Sequence, residues 1–175
     1  MKNKGFSLVE LIIVIAIMAI LVGVMAPVLI KYIEKTNVSS DAQFCDTIKE
    51  AINISRSDPD IRTDDDSMVQ IDYLEQGNLY GIDLFTNQTL FTDNIEDIIG
   101  ADIIGNGSGT GNDNIVKSRQ YMKSRMAKKN GVLMIQMDGN NIYVWIDHSD
   151  SDGGDDNNTC SSFADLADSG VIYVK

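Results

Sequence analysis

The hydrophobic positions of this chain are unevenly distributed, and the unevenness predicts its architecture. Residues 6–30 form an apolar run broken by a single charge, Glu10. At roughly 1.5 Å per residue such a run predicts a helix of about 37 Å, longer than the ~30 Å hydrocarbon core of a bilayer and so able to cross it with a tilt. From residue 28 to residue 57 the pattern becomes amphipathic: Val38, Ala42, Cys45, Ile48 and Ile52 recur at three- and four-residue intervals, with Phe44 and Ala51 beside them. One face of this second half is therefore expected to be buried. Asp58-Pro59 ends it, because the residue before a proline is disfavoured in the helical region.

The elements beyond Pro59 are shorter. Residues 60–67, with three consecutive aspartates, read as a solvated loop. A short helix is expected over 69–78, with Ile71 and Leu74 on one face and Gly77 as its stop. Asp93 followed by Glu96 resembles a capping box opening a helix over 94–99 that Gly100 ends. Residues 105–111 alternate glycine with Asn, Ser and Thr, but no strand precedes them and the phosphate-loop lysine is missing, so they read as a flexible loop. Two apolar runs, 132–137 and 142–146, flank Asp138-Gly139-Asn140-Asn141 and predict a β-hairpin. Residues 171–174 add a third strand. The fold class expected is α+β: a long N-terminal helix, a membrane half plus an amphipathic half, packed against a small antiparallel sheet, with Trp145 and Tyr143 on opposite faces of that sheet.

Composition narrows the function. The 175 residues suit one domain, and 14 basic against 26 acidic residues give a net charge of -12, which repels a phosphate backbone; no nucleic-acid partner is expected. Two cysteines, Cys45 and Cys160, are too few for a disulfide framework and lack zinc-site spacing. His148 is the only histidine and lies in an acidic stretch that offers no triad context for a base, so the chain is not expected to be an enzyme and no catalytic residue is assigned.

Glu10 is the anomaly. A charge at the middle of a membrane helix costs on the order of 2.5–3.5 kcal/mol on insertion scales, and such a residue usually has a partner. No Lys, Arg or His occurs elsewhere in 6–30, so the expected partner lies outside the chain or is a terminus. No small-residue cleavage site follows the apolar run, which excludes an ordinary secretory signal, and Lys2 and Lys4 predict a cytoplasmic N-terminus.

Lys4-Gly5-Phe6-Ser7-Leu8-Val9-Glu10-Leu11-Ile12 resembles the type IV prepilin signature of the class IVa kind. With the low proline content and the Asn- and Ile-rich remainder, it is similar to major pilins of Gram-positive clostridia. The resemblance implies a leader at 1–5, a transmembrane and filament-core helix at 6–30, an amphipathic stem at 31–58 and a globular pilin head at 59–175. It implies cleavage between Gly5 and Phe6 by a prepilin peptidase, N-methylation of Phe6, and pairing of Glu10 with the Phe6 amine of a neighbouring subunit during assembly. It also implies a helix break around Gly23 and Pro27 in the filament, with Pro27 removing the donor for the carbonyl of Gly23. The expected partners are copies of the chain in a helical homo-oligomer, the pilus assembly machinery and the cytoplasmic membrane; the expected destination is a surface filament serving adhesion, aggregation in biofilms or twitching motility. A major pseudopilin of a type II-like secretion system shares the signature and is the alternative.

Three features stay open in the sequence. Residues 117–129 hold six basic residues and no acid (Lys117, Arg119, Lys123, Arg125, Lys128 and Lys129), read either as a solvated helix capped at Gly131 or as a subunit contact. Asp147, Asp150, Asp152, Asp155 and Asp156 form a stretch that is either solvated or a Ca²⁺ site, for major pseudopilins resemble it in carrying calcium near the sheet; no other cofactor is expected. Cys45 and Cys160 are either a disulfide joining stem to head or two buried thiols.

Overall fold

The computed structural model of the protein describes residues 7–77, 79–81, 88–104, 112–148 and 172–174. The chain divides into two compact units, Met1–Thr36 and Asn37–Lys175. Helix α1, Leu8–Ser55, is followed by a 3-10 turn at Ile61–Thr63, α2 (Asp65–Glu75), β1 (Leu79–Gly81), α3 (Leu90–Ile99), α4 (Asn112–Tyr121), α5 (Arg125–Asn130), β2 (Gly131–Asp138), β3 (Asn141–His148) and β4 (Ile172–Val174). The four strands form one antiparallel sheet in the order β1-β2-β3-β4.

The expected α+β architecture is the one observed, with the second half of α1 in the core of the larger unit. Cys45, Ile48, Ala51 and Ile52 lie in one buried cluster with Ile71 and Leu74 of α2, Phe91 and Ile95 of α3, and the inward residues of the hairpin. Those inward residues are register partners: Leu133 with Ile146, Ile135 with Val144, Met137 with Ile142. The other sheet face is covered as well, since Val132, Met134 and Trp145 are buried. Burial on both faces explains why the hairpin strands lack strict alternation. Trp145 and Tyr143 do not lie on opposite faces as expected; two positions apart in one strand, they share a face, where Trp145 is buried and Tyr143 half-buried.

The local differences from expectation have identifiable causes. The aspartate run is not a loop: Asp64 caps α2, its carboxylate accepting from the Ser67 N–H at 3.0 Å, while Asp65 and Asp66 occupy the first turn, where the helix dipole favours acids. Helix α3 starts four residues earlier than expected, capped by a Thr89–Thr92 box rather than by Asp93, and ends as anticipated at Gly100 with φ 65°. The hairpin turn is tighter, because Asp138 pairs with Asn141 and only Gly139 (φ 58°) and Asn140 turn. The basic stretch is two helices rather than one, separated at residues 122–124. Gly131 ends α5 with an extended conformation instead of a left-handed cap; a Cβ there would lie 2.5 Å from the Ala127 carbonyl oxygen, so glycine is required by close approach. Strand β1 was not foreseen, for Leu79-Tyr80-Gly81 is too short to show a period.

Among the described residues Cys45 has no disulfide partner and is fully buried; Cys160, its expected partner, lies outside them. Burial pushes the thiol far above its ordinary range, and the nearby carboxylates of Asp41 and Asp46 add to the shift. The thiolate is the reactive species, so in the native protein Cys45 should resist alkylation by iodoacetamide at pH 8, read by peptide mass spectra, and be modified only on unfolding. Native modification at the rate of a model thiol would overturn the assignment, and absence of thiol even in non-reducing denaturant would show a disulfide.

Candidate assembly site

The N-terminal unit presents an apolar surface that is exposed among the described residues. From Leu8 to Ile33 its large apolar residues are exposed, Leu8 at 73% and Val14, the least, at 47%. Helix α1 is long and apolar enough to cross a membrane. An exposed patch of this extent requires lipid or a neighbouring protein.

Glu10 sits in the first turn of α1. The Ser7 N–H donates to its Oε2 at 2.8 Å, while the Leu11 N–H donates to the Ser7 carbonyl at 3.2 Å. The carboxylate therefore reaches back to the residue before the helix, as the return arm of a capping box does. This corrects the expectation that Glu10 has no partner within its own chain: a backbone donor, which a search for charged side chains does not reveal, is available. A neutral donor does not neutralise a carboxylate, so this hydrogen bond leaves the expected cationic partner neither supplied nor replaced. Gly5 and Phe6 lie outside the described residues.

Pro27 is inside α1, and the helix runs through both it and Gly23 in the single chain. The carbonyl of Gly23 nonetheless has no N–H to receive at residue 27. The loss of helical order expected there concerns the assembled state.

In the larger unit the basic stretch is partly consumed internally. Lys117 Nζ pairs with Asp102 at 2.8 Å. Arg119 Nε donates to the Gly131 carbonyl at 2.7 Å, and partial burial lowers the pKa of its guanidinium from the ordinary value. Lys123, Lys128 and Lys129 are exposed. Helix α5 is fixed to α1 by a group that sequence reading passed over: Asp41, 1% exposed, accepts the Lys123 N–H at 2.6 Å and the Ser124 N–H at 2.9 Å. The available signal was position, since 41, 45, 48 and 52 fall on one helical stripe and a charge on it demands buried partners.

Glu96 holds the segment after α3 by accepting the Ile104 N–H. Desolvation raises its pKa above the usual 4.5, outweighing the hydrogen bonds that lower it. A raised carboxyl pKa favours the folded state below the unfolded pKa and disfavours it as pH rises through the folded value. Glu96→Gln keeps an oxygen acceptor and removes the charge, so it should raise the Tm at pH 7, with the gain vanishing below about pH 4. An equal gain at both pH values would show that charge is not the cause.

Among the acidic candidates, Asp147 is not in a loop but in β3, paired with Val132 and 2% exposed. Asp150, Asp152, Asp155 and Asp156 lie outside the described residues. Among the described residues no group of three His, Cys, Asp or Glu side chains is placed to hold a metal.

The first 26 residues match the family model described as the prokaryotic N-terminal methylation motif. No curated protein and no solved structure matches the chain. The motif, with the exposed apolar helix, supports a type IV pilin-like prepilin: a subunit anchored in a membrane before assembly, processed by a prepilin peptidase and assembled into a multimer.

Proposed function

We propose that this chain is the structural subunit of a type IV pilus, and that it catalyses no reaction. The carrying observation is the conjunction of the methylation motif at 1–26 with a helix whose apolar side chains are exposed from Leu8 onward and carry one acid, Glu10. In the membrane these side chains face lipid; in a filament they face the same helices of neighbours. Cleavage after Gly5 frees the Phe6 amine, a cation that the Glu10 carboxylate of an adjacent subunit can pair with. At ~4 Å and an effective dielectric of 20 that attraction is about 4 kcal/mol before desolvation, and its larger effect is to select one axial register. The carbonyl of Gly23, lacking a donor at Pro27, is where the helix opens in the filament. The filament reaches the cell surface and serves adhesion, aggregation or twitching, as the clostridial major pilins that the signature resembles would imply.

Filaments sheared from cells at native expression should contain this chain beginning at N-methylated Phe6, by intact-mass and N-terminal fragment spectra, and should disappear when its gene is deleted. Processed subunit confined to the membrane fraction, with no sheared filaments and a defect in protein secretion, would instead identify a pseudopilin.

A further inference from the structure

We infer that the exposed basic face beginning at α5 docks on the acidic end of the head of a second copy of this chain, stacking heads along the axis of α1; this rests on the filament reading and adds to it. Two contacts fix where the charges stand. At one level of α1, Asp41 holds the backbone of Lys123 and Ser124, placing Lys123, Lys128 and Lys129, all exposed, around that level. At the other, the Ser55 hydroxyl donates to Asn94 Oδ1 at 2.8 Å, placing α3 with exposed Asp93 and Asp97 beside the end of α1, close in sequence to exposed Asp60. At about 1.5 Å per residue, Ser55 stands roughly 21 Å further along the helix than Asp41. Among the described residues, three exposed lysines thus cluster toward one axial level and three exposed aspartates toward the other, where Arg56 and Arg62 are engaged by Glu75.

A surface with opposite charges at its two ends cannot satisfy itself within one copy, and it favours head-to-tail contact, which stacked along the axis of α1 with an axial rise repeats as an open filament instead of closing a ring. A two-fold dimer through either band would bring like charges together. The net charge of -12 makes this complementarity consequential, because copies that repel on average gain attraction only in the orientation that sets lysines against aspartates.

The test uses the full chain in cells. The triple variant Lys123→Glu, Lys128→Glu, Lys129→Glu and the triple variant Asp60→Lys, Asp93→Lys, Asp97→Lys should each cut sheared filament mass at least tenfold, with processed subunit in the membrane at the wild-type level by immunoblot. Co-expressed, they should restore filaments in which both variants are present, because each reversed band meets the other's complementary one. Undiminished filament mass in either variant alone overturns the docking. So does a loss that co-expression does not repair; if the lysine variant also loses affinity for vesicles of anionic phospholipid, the basic face serves headgroups instead. Abundant wild-type filaments unaffected by reversal leave the pilus reading standing, whereas the absence of wild-type filaments removes both.

Discussion

Asp41→Ala is expected to lower the stability of the head by roughly 2–4 kcal/mol, a fall in Tm on the order of 10 °C. The Asp41 carboxylate is 1% exposed and accepts two backbone N–H groups, those of Lys123 and Ser124. Alanine leaves two donors without their acceptor, the Ser124 N–H buried and the Lys123 N–H partly so, each costing about 1–3 kcal/mol. Asparagine is expected to recover less than half of the loss, because its amide offers one acceptor and turns a second donor on the remaining N–H. Asp46→Ala, on an exposed neighbour along the same helix, is the control and should move stability by no more than ~0.5 kcal/mol. Full-length protein in detergent, melted by near-ultraviolet circular dichroism through Trp145, gives the measurement. An Asp41→Ala melt within 2 °C of wild type would show that the contact contributes nothing net.

The consequence reaches beyond stability. Asp41 is what sets α5 at one level of α1 and not a turn away, since its two oxygens match two successive N–H groups. Loss of that match frees the 122–131 connection and with it the axial level of Lys123, Lys128 and Lys129. A filament contact that depends on charge at a fixed height would then weaken even in the fraction of heads that remain folded.

What could be read in advance follows how local the determining forces are. The long helix was legible because its two halves carry different, sustained patterns: uniform apolarity through residue 30, then the stripe of Cys45, Ile48 and Ile52. The hairpin was legible from Gly139 and its flanking apolar runs. Helix starts were read less well: the Asp64 cap is local, its carboxylate accepting from Ser67 three residues on, whereas Thr89 also has a contact no short window contains, its Oγ1 donating to Gln70 Oε1 at 2.7 Å, nineteen residues away. Gly131 shows the same limit from the other side. Its position suggested a left-handed cap, but what selects it is the approach of the Ala127 carbonyl, a tertiary constraint.

The assembly site divides in the same way. Glu10 stood out because a charge in an apolar run is expensive wherever the run is placed, and this needs no tertiary knowledge. Its donor, the Ser7 N–H, was missed because backbone groups are the same in every sequence and reveal themselves only through geometry. The basic stretch misled for a related reason: composition counts charges, while packing decides that Lys117 and Arg119 are engaged within the head and that Lys123, Lys128 and Lys129 are exposed.

Glu10→Gln is expected to abolish filaments while leaving processing intact, and Gly5→Val to block both, and the pair separates two roles that the short motif combines. Glutamine keeps an oxygen that can accept the Ser7 N–H, so the start of α1 is preserved and only the charge is removed. Membrane insertion should if anything improve, because the cost of about 2.5–3.5 kcal/mol for a charge in the span is relieved. What should disappear, on the pilus reading proposed above, is the pairing with a neighbour's Phe6 amine. An attraction of about 4 kcal/mol at 4 Å and an effective dielectric of 20 corresponds to several hundredfold in an equilibrium constant before desolvation, enough to remove filaments from a sheared fraction. Gly5→Val acts earlier: with the leader uncut, Phe6 keeps an amide in place of its amine, so Glu10 has no cation to find even though its carboxylate is intact. Intact-mass spectra of the membrane fraction would therefore show mature, methylated subunit for Glu10→Gln and full-length precursor for Gly5→Val. Wild-type filament yield from Glu10→Gln would mean that register is set by the apolar surface alone and that the carboxylate in this helix serves its own N-terminus.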